Sequence, residues 1–158
     1  GVNQLGRLSK TPGLAYEQAT IEPNSTLPVQ EIGCNYRVSF DIEGTSEAMG
    51  TELFRSKDAV FYLSDPISGM LGYARDGYLN TFTYPIQAGK RMNIAIEGDN
   101  KSTRLYIDGK QVEELNIQER WMDKEGKSRM RNVRTLVFPL EKAGNFQSKI
   151  TNLKIEQK

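Results

Sequence analysis

In the stretch "YRVSFDIE", Asp41 and Glu43 stand at i and i+2, so on a strand their carboxylates leave one face roughly 6–7 Å apart. Retaining glycosidases hold two carboxyl groups about 5–5.5 Å apart, so this pair admits acid–base work on a glycosidic bond. A second group lies in "GYARDGYLN", where Tyr73, Arg75, Asp76, Tyr78 and Asn80 crowd one turn; the single tryptophan, Trp121, could overhang it. Flat rings beside Asp, Asn and Arg suit a sugar, the rings lying on its C–H face and the polar groups meeting its hydroxyls. Asp65 and Asp76 lie on loops, where oxygen ligands for calcium are found. Lys124, Lys127, Arg129, Arg131 and Arg134 form a basic cluster.

Each group also has a plainer reading. Alternation makes Asp41 and Glu43 the continuation of a solvated strand face that carries Arg37 and Ser39. Asp65 precedes Pro66 and Asp76 precedes Gly77, so both suit turns, and no D-x-D-x-D run accompanies them. The expectation is therefore no cofactor, with calcium at Asp65 and Asp76 as the alternative. Most aromatics in a sandwich belong to the core, as expected for Phe82 and Tyr84. Trp121 has charged neighbours and reads as a cap on the sandwich or a contact with another domain. The basic cluster is interleaved with Glu119, Asp123 and Glu125 and has no glycine-rich phosphate cradle, which reads as a solvated or salt-bridged loop.

Composition removes whole classes of chemistry. The 158 residues include no histidine, which excludes Ser-His and Cys-His nucleophiles and imidazole ligands. One cysteine, Cys34, excludes an internal disulfide and reads as a small buried hydrophobe beside Gly33. Twenty-one basic and twenty acidic residues leave a net charge of +1, no footprint for nucleic acid or an anionic membrane. No apolar run has the length to span a bilayer. The chain opens at "GVNQLGRLSK" with neither initiator Met nor signal peptide, which reads as a domain cut from a larger protein.

The elements that must position these residues are strands. Period-two alternation runs through "YRVSFDIE", "RMNIAIEG", "NTFTYPI" and "SKITNLKIEQ", while "AVFYLSD" and "RTLVFPLE" suit more deeply buried strands. Turn residues punctuate them, above all Asp108-Gly109, whose preference for φ > 0 at both positions predicts a type I′ hairpin. With the strand 91–97 before it, that hairpin makes a three-strand meander. Residues 1–20 read as an extended lead-in, and 116–132 as a long charged loop or a short helix. The pattern predicts one all-β domain, an antiparallel β-sandwich or barrel.

From Met70 to Leu115 the order of pieces resembles laminin-G-like, concanavalin A-like jelly-roll domains. Gly89-Lys90-Arg91-Met92 stands where they show G-K-W, so Met92 departs from the pattern, and "LYIDGK" matches their L-Y-x-D-G-K. Phe146, Ile150, Asn152, Leu153 and Ile155 follow the closing F-x-G-x-I-x-N-L-x-I, with Ser148 in place of glycine. More narrowly, the chain resembles the C-terminal accessory domain of Bacteroides-type β-N-acetylhexosaminidases. That resemblance implies a secreted, periplasmic or cell-surface, non-catalytic appendage of a glycoside hydrolase, packing on the catalytic domain of the same chain. Carbohydrate binding through surface aromatics is the alternative. Jelly-roll glucanases carry E-x-D-x-x-E on one strand; D-I-E-G-T-S-E here breaks that order and places catalysis by Asp41 and Glu43 third.

Overall fold

The computed structural model describes residues 13–27, 35–56, 59–75, 78–99, 101–116, 118–122, 124–132 and 141–158. Two antiparallel sheets enclose one core. The first runs β1 (Gly13–Ile21), β13 (Lys149–Gln157), β2 (Tyr36–Glu43), β7 (Arg91–Gly98), β8 (Ser102–Ile107) and β9 (Lys110–Asn116). The second runs β12 (Lys142–Ala143), β3 (Thr51–Arg55), β4 (Ala59–Ser64), β5 (Gly72–Arg75) and β6 (Tyr78–Thr81). A separate hairpin pairs β10 (Gln118–Met122) with β11 (Ser128–Asn132).

The alternation in the sequence is the burial pattern. Tyr36, Val38, Phe40 and Ile42 of β2 point inward, as do Met92, Ile94 and Ile96 of β7, and all are buried. Across the sandwich, Phe40 meets Phe54 edge to face, ring centroids 6.4 Å apart. Each such fully buried side chain contributes about 1.5–3 kcal/mol. Tyr36 needs a partner without a side chain: it pairs with Gly98, where a Cβ would stand 2.4 Å from the tyrosine ring. The meander forms as expected, and its turn has Asp108 at φ 50° and Gly109 at φ 83°, both positive as a type I′ turn requires.

Three expectations change. The lead-in contains a full edge strand, since β1 pairs with β13 along its length. The segment 116–132 is neither loop nor helix but carries the β10–β11 hairpin, whose turn residues 124–127 are exposed. The strand expected over 80–86 stops at Thr81; Phe82 is buried beyond it, and Tyr84 and Ile86 pack on the core from extended chain. Pro85 explains the stop, because it has no N–H to give a ladder. Residues 133–140, which hold most of "RTLVFPLE", lie outside the described residues, as does Cys34.

Candidate functional site

The face of the six-stranded sheet turned away from the core is where polar side chains gather. Register sets them in rows across the strands. One row alternates in sign: Glu156 on β13, Arg37 on β2, Glu97 on β7, Arg104 on β8 and Glu114 on β9. Its ion pairs run from 2.6 Å (Arg37–Glu97) to 3.8 Å (Arg104–Glu114), and the Arg37 guanidinium lies 5.1 Å from the centre of the Tyr106 ring. Burial pushes the Glu97 carboxyl up, but the hydrogen bond and charge of Arg37, with Lys158 and Arg104, outweigh it and hold it low. A second row crosses the face some residues along, where Arg91 bridges Asp41 (3.6 Å) and Glu43 (3.3 Å), and Lys149 reaches Glu43 (3.7 Å).

Between the rows lies an open groove of about 590 Å³ crossing β1, β13, β2 and β7. Ser39 and Ala19 keep part of its floor low; Asp41, Asn93 and Asn152 form its polar centre; Glu17 and Lys154, 3.7 Å apart, stand at the β1 side. Asp41 is the pivot. Its Oδ2 accepts from Asn152 Nδ2 (2.8 Å) and its Oδ1 from Asn93 Nδ2 (3.0 Å). The hydrogen bonds from Asn152 and Asn93, helped by the Arg91 charge, outweigh its partial burial and hold its carboxyl below the ordinary aspartate value.

Local backbone chemistry aims both amides. Asn152 occupies the left-handed region (φ 54°) at a register shift in β13 between Thr151 and Lys154, a conformation that asparagine tolerates better than most residues. Asn93 is clasped by the meander's own turn: Asp108 N–H donates to Asn93 O (2.8 Å), and Asn93 N–H donates to Asp108 Oδ1 (2.9 Å). The turn residue thus extends the ladder to the groove.

An ionised carboxylate between two fixed amides, in an open groove, can accept hydrogen bonds from hydroxyls. It lacks what glycoside hydrolysis requires of an acid, a carboxyl raised toward neutrality, since Asp41 is shifted the other way.

Of the residues expected around "GYARDGYLN", the structure describes the side chains of Tyr73 and Asn80, and Tyr73 does not lie on the surface. Tyr73 is 1% exposed, stacked near Phe61 (centroids 5.6 Å apart), with its hydroxyl 3.3 Å from Thr103 Oγ1. Alternation puts it on the core face, and Asn80, its register partner on β6, shares that face at the sheet edge. Arg75 and Tyr78 are register partners at the ends of β5 and β6, but their side chains lie outside the described residues, as does Asp76. The Trp121 backbone pairs with Arg129 in the hairpin, and its side chain is likewise outside. Asp65 is 0% exposed and faces no rim: its carboxylate accepts from the N–H groups of Ile67 (2.8 Å), Ser68 (2.7 Å) and Met70 (3.0 Å) and from the Ser68 hydroxyl. Burial pushes its carboxyl up, and those four bonds more than reverse the shift. It has no lone pair left for calcium. Among the described residues no group of three or more His, Cys, Asp or Glu could hold a metal ion.

Sequence reasoning assigned Asp41 to a solvated face and missed Asn93, Asn152 and Lys154. The available signal was the polar half of two alternating strands; what it lacked was which strands lie side by side.

No protein-family model and no curated protein sequence matches the chain. Among solved structures, galectin LEC-6 of Caenorhabditis elegans superposes with a TM-score of 0.56 over 88% of this chain and 94% of its own, at 11% identity. Domain 4 of AbnA, a GH43 extracellular arabinanase of Geobacillus stearothermophilus, solved in complex with arabinotriose, gives 0.48 over 79% of this chain and 61% of that one, at 18% identity. The carbohydrate binding module CBM66 of Bacillus subtilis gives 0.36 over 90% and 88%, at 13% identity. The galectin superposition is a likeness of fold, and with the two antiparallel sheets it makes this chain an all-β sandwich of jelly-roll type. The other two scores are too low to carry an argument.

Proposed function

We propose that this domain is a non-catalytic carbohydrate-binding module and that its sugar site is the groove around Asp41. The observation that carries the reading is the ionised Asp41 carboxylate, fixed by Asn93 and Asn152 and open to a groove of about 590 Å³, within the range of small-ligand sites. Sugars are recognised by fixed acceptors and donors at hydroxyl spacing, and rigid strands hold such groups better than loops. The jelly-roll likeness to a galectin agrees with this use of the fold, though a fold by itself assigns no function. The setting we propose is an exported glycoside hydrolase, of the hexosaminidase type that the sequence resembles, with the module joined to its catalytic domain. A glycan array on the 158-residue chain tests the binding, with Asp41→Ala and Asn152→Ala as controls. Array signals that both variants leave unchanged would remove the groove from consideration.

A second reading, packing on a catalytic domain, is favoured by one observation. Ile67 (77% exposed) sits on the loop that Asp65 braces, and the side chain of Met49 (59% exposed) lies beside Gly69 of that loop. If these side chains dock, Ile67→Ser in the full-length parent protein will loosen the domain to limited proteolysis while sugar binding stays intact.

A further inference from the structure

We infer that the groove accepts oligosaccharides free of acidic groups and rejects anionic ones, with Asp41 as the residue that decides. The inference rests on the carbohydrate reading above and sharpens it from a substrate class to a charge preference.

The groove's centre is richer in acceptors than in free donors. Asp41 can only accept, and each of its oxygens already takes one amide N–H. Each carboxylate oxygen has two lone pairs, so acceptor capacity remains toward the open side. Asn93 spends its Nδ2 on Asp41 and on the Phe40 carbonyl, and Asn152 spends one N–H on Asp41 and keeps one, while both amide oxygens remain as acceptors. A ligand that satisfies this majority of acceptors must donate, and sugar hydroxyls donate. A carboxylate, sulfate or phosphate would set acceptor against acceptor and negative charge against negative charge.

The cations nearby offer no relief. Lys154 is held by Glu17 at 3.7 Å. Arg91 is shared between Asp41 and Glu43, and Lys149 is already paired with Glu43. Counting only groups that line the groove, two acids (Glu17 and Asp41) face one base (Lys154), a balance of −1. On the other side, the alternating row from Glu156 to Glu114 sets three acids against two bases, so Arg37 and Arg104 are committed as well. Among the described residues, every cation bordering the groove has an acid partner. An anionic sugar would have to share each of these cations with an acid already beside it.

The experiment compares ligands of equal length. Neutral hexopyranose tetrasaccharides that bind the 158-residue chain are titrated calorimetrically beside the same chains oxidised at C6 to uronates. At low ionic strength the neutral form should bind at least about fivefold more tightly, the scale of one charge–charge contact near water. That ratio should shrink toward one near 1 M salt, where the screening length is about 3 Å. Asp41→Asn, checked for folding by its melting curve, should lose affinity for the neutral chain and most of the discrimination. The salt series on the unaltered protein tests the charge preference even if the variant fails to fold. Equal or tighter binding of the uronates overturns the preference while the carbohydrate reading stands. If neither form of any tetrasaccharide binds, both fall together.

Discussion

Asp65 and Asp41 carry the same side chain, and in both hydrogen bonds hold the carboxyl below its ordinary value, yet one is structural and the other is open to a ligand. Asp65 is fully buried, and four donors occupy the roughly four lone-pair sites of its carboxylate. Three of those donors are backbone N–H groups of the loop 65–70, so the side chain replaces the ladder that the loop lacks. Asp41 has a side chain 23% exposed and receives two amide hydrogens, with a guanidinium at 3.6 Å. A lowered carboxyl therefore does not mark a functional site by itself. What separates the two is how much acceptor capacity survives folding, and where it points.

The sharpest way to break the comparison is Asp65→Ala. It strips three backbone N–H groups of their shared, buried acceptor, and the cost should be about 3 kcal/mol, read as a lower urea midpoint. Sugar binding by the folded fraction should be unchanged; a matching loss of affinity would mean that the two carboxylates are not separable.

Acid comes next. Both carboxyls have folded pKa values depressed from 3.8, so their stabilisation is complete above about pH 3.8 and is lost as pH falls through the folded values. Unfolding free energy should decline below about pH 4, and Asp65→Asn should flatten that slope more than Asp41→Asn. Equal slopes in a pair of acid titrations would contradict the assignment of four bonds against two.

Asp41→Ala should reverse the first result. We expect at least about tenfold weaker glycan binding, equivalent to about 1.4 kcal/mol, with a stability change of about 1 kcal/mol or less. Calorimetric titration beside a melting curve separates the two quantities.

The smallest expected effect is Asp108→Gly, which keeps a residue suited to φ > 0 but removes the acceptor for Asn93 N–H. Stability should move by less than about 1 kcal/mol, and glycan affinity should fall about two- to threefold because Asn93 is less firmly aimed. Asp108→Asn retains an acceptor oxygen and should restore the affinity. If both variants bind like the original, the turn does not position the groove.

Much of the fold was legible. The inward residues of β2 and β7 follow from alternation, those of β13 follow it on either side of its register shift, and Asp108-Gly109 declared its turn through the φ values its residues accept. Less of the site was. Tyr73 looked like a surface ring because its neighbours are polar, but alternation along β5 turns it inward, and only the positions of β4 and β8 show what it meets there. The charged segment 116–132 hides a hairpin because ladder hydrogen bonds form between backbones, and mixed charges neither announce nor prevent them. Asp65 read as a turn former, and it is one, though its burial and four bonds depend on the loop closing over it.

The sequence by itself determined an all-β chain without histidine chemistry, the inner and outer faces of its main strands, and the turn at Asp108-Gly109. These are local matters, set by the two-residue repeat of a strand and by the backbone angles that each side chain allows. The tertiary structure alone decided that Asp41 lies against Asn93, 52 residues along, and Asn152, 111 residues away. It also decided that charges of alternating sign from five strands pair beside a groove. Those neighbours are chosen when β2 is inserted between β7 and β13 to bury one face of each strand. The polar face that results is assembled by burial on the opposite side of the sheet.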